Sequence, residues 1–124
     1  MNLSHFDHVI LLAHGSPASS WKAPFEALLD DVQAQVGREK VSLAYMELTT
    51  PSLEQVAASL SDSVKTIAVY PIFFAVGRHL REDVPKQLMQ LNSDQRQFTL
   101  LEPIGSDPVV KAALSRAITS KLTG

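Results

Sequence analysis

Four short apolar runs, each followed by a segment with helical spacing, constrain the fold of this chain more than any other feature. The runs are His8 to Ala13, Val41 to Met46, Thr66 to Phe74 and Phe98 to Leu101. Such short and continuous apolar segments indicate strands that are buried on both faces, as in a parallel sheet. In the third run Pro71 removes a backbone donor, so the regular strand should end near Tyr70 and continue as a loop.

Apolar residues recur at helical spacing after every run. The first helix should extend from Trp21 to Val36, with Ser19 or Ser20 as its cap and Gly37 as its stop. The later helices should begin at Thr50 and Asp107, each directly before a proline, and at Asp83, two positions before Pro85. The last helix should bury a stripe formed by Val109, Ala113, Leu114, Ala117, Ile118 and Leu122.

A strand followed by a helix, four times over, predicts an α/β fold. We expect three layers, with a four-stranded parallel sheet and helices on both of its faces, resembling half of a flavodoxin-like domain. The 124 residues correspond to one domain, residues 1–124.

Composition excludes several classes of function. The chain has no cysteine, which excludes disulfides and thiolate metal sites and fits a reducing cytoplasm. Its formal net charge of −2 gives no support for nucleic-acid binding. No apolar run approaches the roughly 20 residues that cross a bilayer, and no signal-peptide pattern opens the sequence. We therefore expect a soluble cytoplasmic protein without a nucleic-acid or membrane partner.

Three candidate ligands follow three different strands. His14 follows the first strand, Glu47 follows the second, and His79 lies in the loop after the third. Right-handed crossovers bring the carboxyl ends of parallel strands to one edge of the sheet, where α/β proteins bind their ligands. In the strand order 2-1-3-4, His14 would face His79 and Glu47 would lie beside them.

Two imidazoles and a carboxylate suit iron, cobalt, nickel or zinc. Imidazole also titrates near neutrality, so one histidine can accept a proton while the other holds a metal. Other interpretations stay open: either histidine could be a hydrogen-bonded loop residue, and Glu47 could be a capping or solvated group. His5 and His8 lie near the start of the chain and are treated as incidental.

Positive charge is concentrated around His79. Arg78, Arg81 and Lys86 are either solvated side chains or a cluster that attracts an anionic ligand. Ser16 follows His14-Gly15, but the phosphate-loop and G-x-S-x-G patterns are absent, which argues against nucleotide binding or serine-nucleophile chemistry.

Three blocks of the sequence resemble one protein family. ILLAHGS, AYMELTTPSLEQV and VYPIFFAVGRHLREDVPKQL resemble the small CbiX-type sirohydrochlorin chelatases, the CbiX/SirB family of class II chelatases. The most specific match consists of Gly77, His79, Asp83 and Pro85. Pro17 stands where the family usually carries a basic residue.

The resemblance implies a chelatase-like fold, a homodimer, and insertion of a divalent metal into sirohydrochlorin in cobalamin or sirohaem biosynthesis. Cobalt is the expected metal, with iron or nickel as alternatives, and no organic cofactor is implied. It makes His14 and His79 metal-binding and proton-accepting residues, and Glu47 a third ligand. The rim that would bind the polycarboxylate substrate comprises Ser16, Lys22, Phe74, Gly77, Arg78, Arg81 and Lys86.

Two other functions compete with this one. A metal or tetrapyrrole carrier would bind the same ligands without accelerating insertion. A flavodoxin-like receiver domain would carry an acidic cluster after the first strand, where this chain has Ala13-His14-Gly15.

Overall fold

The computed structural model describes residues 2–74 and 77–124, and at positions 19, 79 and 80 it describes the backbone alone. The strands and helices are β1 (His8–Ala13), α1 (Lys22–Val36), β2 (Val41–Tyr45), α2 (Leu53–Ser59), β3 (Thr66–Pro71), α3 (Arg78–Leu91), β4 (Gln97–Leu100) and α4 (Pro108–Thr123). All strand pairs are parallel, and the order in the sheet is β2-β1-β3-β4. The predicted α/β fold and strand order are therefore confirmed.

The centre of the sheet is a strand buried along its whole length. All six residues of β1 are buried, and Leu11 pairs with Leu43 on one side and Tyr70 on the other. Pro71 has no backbone N–H to donate, but the sheet loses no hydrogen bond there. Alternate residues of β3 bond to β1, and Pro71 faces the other side, where β4 has already ended at Leu100.

Each face of the sheet has its own apolar cluster. On one face, α2 and α3 cover the sheet with Leu53, Val56, Val84 and Leu88. On the other face, α1 contributes Phe25, Leu29 and Val32 against β1 and β2. Burying one such side chain contributes about 1.5–3 kcal/mol, so these two layers hold the sheet in place.

Two helices begin elsewhere than predicted. Ser52, not Thr50, caps α2, because its hydroxyl accepts from the Gln55 N–H while the Gln55 side chain accepts from the Ser52 N–H. α3 begins at Arg78 rather than at Asp83, and Pro85 lies inside the helix instead of in its first turn. His79 therefore belongs to the first turn of α3 and not to a loop.

At α1, the predicted caps are replaced by a 3-10 turn. This turn spans Ser19–Trp21, and Lys22 follows it directly without a side-chain cap. The Ser19 side chain lies outside the described residues. Gly37 does end the helix, at φ 102°.

The prediction of a buried stripe on α4 is wrong. No residue of this helix is buried, and every residue from 111 to 124 is exposed. Asp107 does cap the helix, accepting from the Val109 N–H at 2.8 Å, so the predicted start is correct. Within residues 2–74 and 77–124, no helix combines the length and apolarity needed to cross a membrane.

Candidate metal and substrate site

His14 lies at the carboxyl end of β1 with an exposed side chain. Its imidazole contacts the ring of Phe73, with centroids 4.2 Å apart and ring planes at 34°. The Glu47 N–H donates to the His14 carbonyl at 3.2 Å, and the Met46 N–H donates to the Ala13 carbonyl at 2.8 Å. The backbones of His14 and Glu47 are therefore neighbours, as predicted from the topology.

Gly15 makes this approach possible. It has φ 95°, and a Cβ placed on it would lie 1.9 Å from the Glu47 carbonyl oxygen. Any other residue would collide with backbone and would also occupy an unfavourable conformation. The glycine thus lets the ends of β1 and β2 meet behind His14.

The connection from β3 to α3 leaves the sheet beside His14. The Ile72 N–H donates to the Leu12 carbonyl at 2.9 Å, and Phe73 follows against the imidazole. His79 stands two residues after Gly77, the N-cap of α3. Its side chain lies outside the described residues, so the convergence of His14 with His79 stays a prediction.

Glu47 is exposed at the same edge. Among the side chains that the structure describes, no three histidine or acidic groups are arranged to hold a metal ion. The His79 side chain is not among them, so the ligand set of His14, His79 and Glu47 also stays a prediction.

Phe74, Gly77, Arg78 and Arg81 of the predicted rim are exposed around this edge, whereas Ser16 and Lys22 are half-buried. Arg78 places its Nε 3.6 Å from Glu82 Oε1, and Arg81 is exposed one turn further along α3. Gly77 is exposed, and the Phe74 side chain is 65% exposed, which is unusual for a large aromatic group. The rim therefore offers cations and an apolar ring to solvent.

A small pocket of about 90 Å³ opens beside His14. Ser16 lines it, and its Oγ accepts from the Ala18 N–H at 3.2 Å. Lys22 also lines it, with Nζ donating to the Thr50 carbonyl at 3.0 Å and lying 5.6 Å from the Tyr45 ring centroid. The pocket thus brings a hydroxyl and an ammonium close to the imidazole.

Tyr45 was missed as a functional candidate. It lines the pocket, it is 2% exposed, and its hydroxyl has no hydrogen-bond partner among the described residues. Burial raises the pKa of the phenol, and the charge of Glu26 raises it further. The hydroxyl is therefore a protonated donor. In sequence, a tyrosine inside an apolar strand is indistinguishable from a core residue.

His8 is not incidental, contrary to the sequence interpretation. It is buried at the start of β1, with Nδ1 2.8 Å from the Glu39 carbonyl oxygen and Nε2 2.8 Å from Ser42 Oγ. Burial lowers the pKa of His8, opposed by the bond to Glu39. It lies at the amino end of its strand, opposite to His14, and its role is structural.

The four-stranded parallel sheet with helices on both faces makes this chain an α/β protein with a candidate ligand site at the carboxyl edge of the sheet. Comparison with known proteins gives its family. The CbiX family model matches residues 8–121. The sirohydrochlorin cobaltochelatase of Sulfurisphaera tokodaii is 31% identical over 121 residues, covering 92% of each chain. The protein of the same name from Sulfolobus acidocaldarius is 28% identical over 100 residues, covering 80% of this chain and 79% of that one. The chain therefore belongs to the CbiX family.

Solved structures agree with this assignment. A cobalamin (vitamin B12) biosynthesis CbiX protein from Marinobacter aquaeolei has a TM-score of 0.80 and 36% identity, covering 93% of this chain and 96% of that one. The cobalt complex of the sirohydrochlorin chelatase SirB from Bacillus subtilis subspecies spizizenii has a TM-score of 0.73 and 23% identity, covering 92% of this chain and 50% of SirB. At that identity the second match shows the shared fold alone.

Proposed function

We propose that this protein inserts a divalent metal into sirohydrochlorin, and that cobalt is its metal, with iron or nickel as alternatives. The observation that carries the proposal is the exposed imidazole of His14 at the carboxyl edge of the sheet, beside the β3–α3 connection and a polar pocket. The names of the relatives from Sulfurisphaera tokodaii and Sulfolobus acidocaldarius support the substrate and the metal.

Metal insertion needs a weak binding site for the ion and a base that accepts the two pyrrole protons. His14 and His79 are proposed to share these tasks, since a neutral imidazole can bind a divalent ion or accept a proton. Glu47 is proposed as a third ligand. Two or three ligands leave coordination positions open, so the ion can pass from the protein to the macrocycle.

The rim is proposed to hold the carboxylates of the substrate. Arg78 and Arg81 can form charge-assisted hydrogen bonds to carboxylates. The protonated hydroxyl of Tyr45 and the ammonium of Lys22 offer donors next to His14, although Pro17 supplies none. Phe74 offers an exposed ring that can lie against the macrocycle. Gly77 has no side chain and open space around it, so the macrocycle can approach the backbone there.

The single edge of a four-stranded sheet is a shallow support for a macrocycle. We propose that two copies form a homodimer around the substrate, because a symmetric pair is the commonest oligomer. No organic cofactor is part of this proposal.

The decisive assay follows the absorption spectrum of free sirohydrochlorin with purified protein and Co²⁺, Fe²⁺ or Ni²⁺. We expect the initial rate to exceed the protein-free rate, most strongly for cobalt, and His14→Ala to reduce it by at least 100-fold with unchanged circular dichroism. Loss of a catalytic acid–base group of this kind typically costs 10²–10⁴-fold.

A carrier gives a different result in the same assay. It would bind sirohydrochlorin or cobalt stoichiometrically while the insertion rate equals that of the free reaction. That outcome, or a native insertion rate in His14→Ala, would contradict the proposal.

A further inference from the structure

Trp21 is the only tryptophan of the chain, and it is 64% exposed although large aromatic side chains are usually well buried. It ends the 3-10 turn before α1 and lines the small pocket beside His14. It is not an isolated exposed residue, because the half-buried residues Phe25 and Phe73 line the same pocket. A continuous apolar surface that remains open to solvent marks a place where a ligand can lie.

The pocket leads from exposed residues to a buried one. His14 and Trp21 are exposed, whereas Tyr45 on β2 is 2% exposed. All three line the same space of about 90 Å³. His14 and Trp21 therefore stand at its mouth, and Tyr45 stands at its inner end.

The inner end carries two hydrogen-bond donors. The Tyr45 hydroxyl has no partner among the described residues, and burial keeps it protonated by raising the pKa of the phenol. Lys22 Nζ lies 5.6 Å from the centroid of the Tyr45 ring, and one of its three N–H groups donates to the Thr50 carbonyl at 3.0 Å. A buried polar group without a partner costs stability, so the hydroxyl suits a ligand atom that accepts its hydrogen.

The charge at the inner end is positive. Lys22 supplies an ammonium, and no acidic side chain of the described residues lines the pocket. Glu26 lies one turn further along α1, exposed and outside the lining, and its charge acts with burial to raise the pKa of Tyr45. A hydroxyl and an ammonium together favour a carboxylate oxygen over a metal ion, which the ammonium would repel.

The size of the pocket limits what it can hold. Pockets that enclose a whole small molecule have about 300–1,000 Å³, so a space of about 90 Å³ takes only a few atoms. Apolar residues at its mouth and donors at its inner end match a short aliphatic arm that ends in a carboxylate. A polycarboxylate macrocycle carries such arms on its edge.

We propose that this pocket takes one carboxylate arm of a tetrapyrrole, with Trp21 against the stem of the arm and with the Tyr45 hydroxyl and the Lys22 ammonium on its carboxylate. The inference rests on the proposed function for the identity of the ligand. It adds a separate point at which that ligand is held, because the arginines of the rim lie on α3 and this pocket lies at the start of α1. An arm bound there holds the macrocycle beside the imidazole of His14.

The first experiment titrates metal-free sirohydrochlorin into the protein and follows the fluorescence of Trp21. We expect the emission to fall on binding, and Tyr45→Phe and Lys22→Met each to raise the Kd about tenfold, the loss typical of one hydrogen bond to a charged group. The matched controls Tyr70→Phe and Lys65→Met change residues that do not line this pocket, so the native Kd should be retained. A native Kd in both pocket variants, or an equal loss in the controls, would overturn the proposal.

The second experiment tests the outer wall of the pocket and follows the fluorescence anisotropy of the macrocycle itself. Trp21→Ser should raise the Kd about fivefold because it removes an aromatic contact, whereas Trp21→Phe keeps a ring and should stay within about twofold of the native Kd. Met89→Ser, which removes a side chain from α3 that is 74% exposed, is the control. Native binding by Trp21→Ser, or the same loss in Met89→Ser, would show that Trp21 does not contact the ligand.

Cobalt insertion by the native chain separates this pocket from the proposed function, and circular dichroism checks that every variant retains its fold. Native binding by all pocket variants together with insertion by the native chain would overturn the pocket and leave the function standing. Weaker binding by the pocket variants without insertion by the native chain would support the pocket and overturn the function.

Discussion

The backbone N–H of Glu47 is hydrogen-bonded to the carbonyl of His14 over 3.2 Å. This bond joins the residues that follow β2 and β1, 33 positions apart in sequence, behind the exposed imidazole. The position of His14 is therefore set by backbone contacts and does not depend on the conformation of its side chain.

Gly15→Ala should destabilise the protein by about 2 kcal/mol or more, since strain at such a position costs 1–3 kcal/mol before the collision with the Glu47 oxygen is added. The measurement is the free energy of unfolding in urea. Gly77→Ala is the matched control, because Gly77 has φ −76° and an added methyl group would meet nothing within 4 Å, so its only expected cost is the poorer N-cap preference of alanine. Equal stability of the two variants would contradict the role given to Gly15.

Tyr45→Phe should leave stability unchanged or slightly raise it, because a buried hydroxyl without a partner among the described residues contributes no hydrogen bond to the folded chain. If that hydroxyl binds a substrate carboxylate, the KM for sirohydrochlorin should rise about tenfold, the loss expected for one hydrogen bond to a charged group. Unfolding in urea and steady-state kinetics separate these effects. An unchanged KM would exclude Tyr45 from the substrate site.

Arg81→Ala should weaken substrate binding more than it changes the rate at saturation, because the proposed contact is to substrate carboxylates and not to the reacting nitrogens. The expected change is a rise in KM of about five- to tenfold, and this rise should shrink at high salt because salt screens exposed charges. Lys65→Ala, which removes an exposed cation at the opposite edge of the sheet, is the control. A similar rise in KM for Lys65→Ala would point to net charge instead of a specific contact.

His8 should make the folded state less stable as the pH falls. Its folded pKa is depressed by burial below the ordinary histidine value of 6.5, so the unfolded chain binds a proton at a pH where the folded chain does not. Stability from the neutral imidazole is therefore complete above pH 6.5 and declines as the pH falls below that value.

Urea unfolding between about pH 7.5 and 5.5, which brackets the ordinary histidine pKa, measures this effect. His8→Gln should be less stable at the upper pH and should lose less of its stability towards the lower one, because glutamine does not titrate. His5→Gln is the control, since His5 is exposed. A native slope that persists in His8→Gln would show that other groups cause it.

The fold was predictable because it depends on burial and local spacing. Continuous apolarity in β1 and the strand–helix alternation are readable in one dimension, and the carboxyl-edge rule then placed His14 and Glu47 correctly. The start of α3 was not predictable from Pro85, because a proline one turn or more inside a helix costs stability without fixing where the helix begins. The burial of α4 was predicted wrongly for another reason: apolar spacing shows which side of a helix could be buried, but not whether the chain offers a surface that covers it.

The site was only partly predictable. Histidine can bind a metal or a proton and arginine can bind a carboxylate, so His14 and the arginines are candidates from their residue types alone. Tyr45 and His8 became distinctive only through three-dimensional burial, one with a hydroxyl lacking a partner among the described residues and the other with both ring nitrogens satisfied.

The contact between Phe74 and Gly105 has a mechanical consequence. A Cβ on Gly105 would lie 2.3 Å from the Phe74 Cα, so the two backbones touch without any side chain between them. A shift of the Phe74 backbone would therefore also shift Gly105, which lies three residues before the start of α4. Binding of a large flat molecule at the rim would therefore displace the start of α4, and a displacement of α4 would in turn move the rim.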